Sequence, residues 1–110
     1  MISIEDFAKV EMRIGVIRTA ERVPDTDKLL RLSVDFGEEQ PRQVISGIAL
    51  YFSDPGTLVG ISCAFVTNLE HRTIRGLVSE AMIVAAHTPE GDFSILEPTG
   101  GTLPPGTKLN

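Results

Sequence analysis

Three sets of side chains in this sequence are of types that catalyse reactions, and a fourth is of types that bind. Cys63 with His71 or His87 would supply a nucleophile and its base, or part of a metal site, if the fold brought them together. Cys63 alternates with Ile61 and Phe65 on one strand face, which predicts a buried, inert thiol. The two histidines stand apart, with surface placement expected for both. Asp25 and Asp27 offer paired carboxylates, but Pro24-Asp25-Thr26-Asp27 is turn chemistry and both acids are expected in solvent. The glycines form neither GxxxxGK[ST] nor GxGxxG, the spacings that cradle phosphates against a helix. The residues therefore predict no enzyme, no metal and no cofactor. The fourth set is Asn68, Arg72, Arg75, Ser79 and Glu80, a mixture able to contact phosphates, ribose hydroxyls and one splayed base. With no Trp, one Tyr and five Phe, and with Phe36 and Phe65 on apolar faces, a long base-stacking platform is not expected. That combination suits a folded RNA better than a long single strand.

Charge qualifies this reading. The chain has 110 residues, 15 acids, 10 bases and a net charge of -5, which taken as a whole argues against nucleic acid. The imbalance is uneven, because residues 76–110 carry four acids and one base, whereas the other nine bases all lie in residues 1–75. Seven of the ten bases are arginine, whose planar fork matches phosphate. A fold that gathers a few of them would make a positive patch on an acidic body. The length fits one domain over residues 1–110. The N-terminus lacks the basic and apolar regions of a secretory signal and there is one cysteine, so a reducing cytoplasm is expected. No stretch approaches the ~20 apolar residues that span a bilayer.

The elements that would position these residues follow from periodicity. Ser3 caps a short helix ending near Val10, with Asp6 in the capping-box position and Ile2 stapled on Phe7. A strand runs from Met12 to about Glu21, with Met12, Ile14 and Val16 on one face and Gly15 as a bulge or bend. Leu30, Leu32, Val34 and Phe36 alternate with polar residues in a second strand, and Gly37-Glu38-Glu39-Gln40 turns it into a third, Arg42 to Ser46. Helical turns are expected at Ile48 to Phe52 and at Pro55. A fourth strand starts at Ile61 and ends at Asn68, Leu69 to Ser79 reads as a loop, and Met82 to Ala86 reads as a fifth strand. Thr88 to Asp92 turns into Phe93 to Leu96, followed by a tail rich in Pro and Gly. Five strands with a helical insert after the third fit an all-β chain with short helices, a five-stranded Greek-key barrel of the OB type; an SH3-like barrel or a sandwich would read similarly. The tail keeps Leu103 and Leu109, which predicts packing on the barrel or on a second chain.

The ordered blocks Asp6 to Gly15, Asp27 to Leu32 with Val34 to Gly37, Ser46-Gly47-Ile48, Asn68-Leu69, Arg72, Arg75-Gly76 and Ser79 to Met82 together resemble the tRNA-binding OB-fold domain family. That family includes the C-terminal domain or beta subunit of methionyl-tRNA synthetase, free-standing tRNA-binding proteins and the chaperone CsaA. The resemblance covers roughly residues 4 to 109 and implies that Lys28, Asn68, Arg72, Arg75, Ser79 and Met82 line a tRNA-facing cleft. It further implies a barrel over about residues 4–86 and a C-terminal extension over about 87–110 that packs on the barrel and across a homodimer axis. The implied partners are tRNA, a second copy and a methionyl-tRNA synthetase catalytic chain, with the protein accessory rather than catalytic. A CsaA-like chaperone or dimerisation module is the alternative. Two positions depart from the pattern: His71 stands where proline is common, and Ala81 where glycine is usual. An alanine forced to positive φ at 81 would cost about 1 kcal/mol.

Overall fold

A computed structural model of the chain describes residues 1–109. Helix α1 (Ile4–Phe7) starts at Ser3, whose Oγ accepts from the Asp6 backbone N–H at 3.1 Å, as the cap requires. The expected staple does not form, because Ile2 and Phe7 both remain exposed. Strands β1 (Met12–Arg22), β2 (Leu30–Asp35), β3 (Arg42–Ser46) and β4 (Ser62–Val66) follow, with 3₁₀ turns at Ala49–Tyr51 and Pro55–Leu58 before β4. Then come β5 (Arg72–Ile74), β6 (Leu77–Ser79), β7 (Met82–Ile83), β8 (Ala85–His87) and β9 (Phe93–Ile95). The main sheet runs β3-β2-β1-β4-β7, all neighbours antiparallel, and curls into a nearly closed five-stranded barrel.

The core is where alternation put it on β2: Leu30, Leu32 and Val34 are fully buried, joined by Ile17, Val44, Leu58, Cys63 and Phe65. On β1 the expected alternation holds, with Met12, Ile14 and Val16 on one face, but the barrel interior takes the other. Gly15 and Ile17 point into the barrel, whereas Ile14 lines an outer groove with Leu96, Leu103 and Leu109. The inner face carries Arg13 and Gly15 and is the less apolar of the two in sequence, so alternation alone does not say which side the barrel covers. Gly15 is no bulge; it pairs in register with Cys63. A Cβ there would stand 2.5 Å from Val34 Cγ1 and 2.7 Å from Phe36 Cε1, so the glycine permits close packing of the barrel interior. The irregularity lies instead between Ile17 and Thr19, where Arg18 is the extra residue and places both Ile17 and Ala20 against the core.

The fifth strand and the loop before it also differ from the sequence pattern. Residues 82–86 divide: β7 completes the barrel, and after Val84 the chain leaves it so that β8 pairs with β9. The segment after Leu69 is a hairpin of β5 and β6, each too short to show a period. The barrel closes at a seam between β3 and the chain after β6. Glu80 N–H donates to Gln43 O at 2.8 Å, Gln43 N–H donates to Glu80 Oε1 at 3.1 Å, and Ile45 N–H donates to Ser79 Oγ at 3.0 Å. The tail packs along β1 beyond the end of β2, with Ile14 N–H donating to Thr107 O at 2.8 Å and Leu109 N–H to Met12 O at 2.9 Å.

Carboxylates lock this frame. Glu11 accepts from Arg13 Nη2 at 2.8 Å and from the Thr67 hydroxyl at 2.8 Å, while Arg13 Nη1 reaches Gly106 O at 2.9 Å. Glu38 accepts two bonds from Arg42, whose Nη1 also donates to Thr67 O at 2.7 Å. Asp35 accepts from Arg18 and from Gly37 N–H. These bonds hold all three carboxyls below their usual range, led by Arg13 for Glu11, Arg42 for Glu38 and Arg18 for Asp35.

Two outcomes follow. Gly15→Ala should lower the unfolding free energy by about 1–3 kcal/mol in urea titration, because the added methyl has no space. Because the folded-state values are depressed, these carboxylates stabilise the fold above the ordinary carboxylate range and lose that contribution as pH falls through the lowered values. The melting temperature should therefore hold from neutrality to about pH 5 and fall below about pH 4, with a shallower fall in Glu11→Gln/Glu38→Gln, as thermal scans across pH would record.

Candidate nucleic-acid interface

The β5–β6 hairpin turns at Arg75-Gly76, where both residues have positive φ, 53° and 78°, the signature of a type I′ turn. Glycine adopts this backbone freely; an arginine adopts it at a cost of about 1 kcal/mol or more. The turn carries the Arg75 side chain to the mouth of a cleft of about 370 Å3, opposite Lys28 and Leu29 from the connection between β1 and β2. A second cleft, about 160 Å3, lies between β3, the hairpin and β7, and is lined by Arg72, Leu69, Ile74 and Met82. Ile74 borders both, so the two form one surface. Glu70 lines the smaller cleft and Asp27 the larger, so the surface holds two acids beside its three bases.

The six residues expected at a cleft divide by what they do. Lys28, Arg72, Arg75 and Met82 are exposed on this surface. Asn68 is exposed too, but its side-chain amide is engaged: Oδ1 accepts from Glu11 N–H at 2.8 Å and Nδ2 donates to Lys9 O at 2.7 Å. It ties the approach to β1 onto the end of β4. Ser79 is buried, and its hydroxyl accepts from Ile45 N–H and donates to Ala81 O at 3.1 Å. It lines the smaller cleft as well as holding the seam, and Glu80 accepts from Gln43 N–H through its carboxylate. Ala81 is buried with no positive φ, so the expected strain is absent. Ile74 was not singled out from sequence; the Arg75-Gly76 turn, had it been recognised, would have placed it.

Ion pairing distinguishes the bases more sharply than their number does. Lys9, Arg13, Arg18, Arg31 and Arg42 each pair with a carboxylate. Arg22 is turned onto the carbonyls of Ala49, Phe52 and Ser53. Among the described residues, Lys28, Arg72, Arg75 and Lys108 have no such partner, and three of these four lie on the cleft surface. Unpaired guanidinium and ammonium groups are free to meet phosphate without first breaking an internal bond. Neither cysteine nor histidine lines the two clefts. Cys63 is fully buried, and desolvation pushes its thiol up to about 12. His71 and His87 are exposed, and no cluster of metal-ligating side chains occurs among the described residues.

Comparison with known proteins gives the family. Residues 12–108 match the family described as "Putative tRNA binding domain". The methionine–tRNA ligase of Helicobacter pylori strain J99 is 46% identical over 98 residues, which is 89% of this chain and 15% of that protein. That of Enterococcus faecalis is 41% identical over 96 residues, 87% of this chain and 14% of the ligase. The chain thus spans about 15% of the length of these curated relatives. A MetRS-related protein from Pyrococcus horikoshii superposes with a TM-score of 0.90 at 30% identity, covering 99% of this chain and 97% of the other. The chaperone CsaA of Bacillus anthracis superposes with a TM-score of 0.87 at 32% identity, covering 100% and 99%. With its barrel, its unpaired bases and a match running nearly end to end, the chain belongs to the tRNA-binding domain family that includes the C-terminal region of methionyl-tRNA synthetases and free-standing CsaA-like proteins.

Proposed function

We propose that the protein binds folded tRNA in the cytoplasm as a non-catalytic accessory to a methionyl-tRNA synthetase chain, using Lys28, Arg72 and Arg75 on phosphate and Met82 against sugar or base. The observation that carries this reading is the concentration of carboxylate-free bases on one surface of an acidic protein. Asn68 and Ser79 act as positioning residues, holding β4 and the seam from which the hairpin springs. Recognition runs through shape and phosphate placement, since the clefts have no aromatic lining on which bases would stack.

The same reading includes a homodimer. No residue of α1 is buried, although Ile4 and Phe7 are apolar, with Ile4 at 73% exposure. Across the barrel the tail, β1 and β4 border an apolar groove of about 260 Å3 lined by Ile14, Leu96, Leu103 and Leu109. A second copy would cover such surfaces, and two modest sites on one particle would bind one large ligand more tightly than either alone. The CsaA-like reading draws on Leu69 and Met82, each 49% exposed, as an apolar floor for peptides. Light scattering and a tRNA gel shift on one sample separate the two: a dimer that ignores tRNA but keeps an unfolded client soluble favours the chaperone.

Arg72→Ala/Arg75→Ala should weaken binding to every tRNA tested by about tenfold or more and reduce the slope of log affinity against log salt by about 2. Unchanged curves would remove the site. Arg75→Asn separates stability from binding. Asparagine tolerates positive φ, so this variant should melt at a higher temperature, by a gain of up to about 1 kcal/mol, while binding tRNA less tightly.

A further inference from the structure

Away from the tRNA surface, the 3₁₀ turn Ala49–Tyr51 and the β8–β9 hairpin frame a groove of about 520 Å3 that shares no lining residue with either basic cleft. Its wall is aromatic. Tyr51 stacks on Phe93 with centroids 4.1 Å apart and planes 7° from parallel, and Phe52 meets Phe93 edge-on at 5.8 Å. Phe52 and Phe93 pack against the barrel core, so the stack is anchored, while Tyr51 is 43% exposed. Asp92 and Glu97 line the groove and no lysine or arginine does. Neither acid has an ion pair among the described residues; Asp92 Oδ2 accepts only from the Thr88 hydroxyl at 3.2 Å.

We propose that this groove is a docking site for a lysine- or arginine-bearing segment of a partner protein. An anchored, half-exposed aromatic stack beside two unpaired carboxylates is complementary to a cation on an aliphatic stem: the ring faces attract the charge and the acids neutralise it. RNA is disfavoured, because its phosphates would meet Asp92 and Glu97. Tyrosine at such a position supplies rigid contact area of the kind that dominates protein interfaces.

The test uses the whole chain and a short fluorescent peptide of arginine and glycine, with a counterpart carrying glutamate for arginine. Anisotropy should show one saturable site for the arginine peptide, weakening as salt rises, and none for the glutamate peptide. Tyr51→Ala and Asp92→Asn/Glu97→Gln should each weaken it about tenfold while leaving tRNA affinity unchanged. The second variant removes the charge at nearly unchanged size and keeps one acceptor oxygen per side chain, enough for the Thr88 hydroxyl, and so guards against an effect of misfolding. No binding of the arginine peptide, equal binding by the variants, or displacement by tRNA would overturn the proposal. So would sedimentation showing that Tyr51→Ala splits a dimer, since a second copy would then be the occupant.

Discussion

The seam where the barrel closes is the constraint on which the rest of the molecule depends. β3 and the chain after β6 meet without a β ladder, through the backbone bond from Glu80 to Gln43 and the side-chain bonds of Ser79 and Glu80. A hydroxyl and a carboxylate do what a further pair of strands would do elsewhere. Ser79 is buried at this point, so losing its oxygen leaves the Ile45 N–H without a partner, at about 1–3 kcal/mol. The β5–β6 hairpin springs from the same seam, and with it Arg72 and Arg75 take their places beside β3 and Lys28. Fold closure and site assembly are one event in this chain.

Much of the barrel was legible because β2 obeys a single period: Leu30, Leu32 and Val34 face in, and Arg31, Ser33 and Asp35 do not. β1 hides its inner face because that face carries Arg13, Gly15 and Ile17, while the more apolar Met12, Ile14 and Val16 lie outside, where the tail covers Ile14. The alternation is legible in the sequence, but the covering tail is not. Gly15 was recognised as special but for the wrong reason, since its role depends on Val34, Phe36 and Phe65, residues distant in sequence. The short β5 and β6 hold three residues each, fewer than a period needs, and only the Arg75-Gly76 turn marks them.

The candidate site was legible as a set of residue types and illegible as a division of labour. Asn68 and Ser79 have side chains suited to RNA, and the fold uses both for itself. Nor does net charge identify the binding surface. Five of the bases pair with carboxylates, three of which also lock the frame, so the acidic total coexists with a surface that gathers three of the four bases left unpaired among the described residues. Asp92 and Glu97, near β9, line instead an aromatic groove that holds no lysine or arginine. One small barrel thereby presents two chemically distinct surfaces.

If carboxylate-free bases, and not arginine content, define where tRNA binds, the bases must respond unequally to it. Side-chain NMR of nitrogen-labelled protein titrated with tRNA reads each guanidinium and ammonium separately. Arg72, Arg75 and Lys28 should shift or broaden first, while Arg13 and Arg42, held by Glu11 and Glu38, stay in place. Early perturbation of Arg13 or Arg42 with Arg72 and Arg75 unmoved would contradict it.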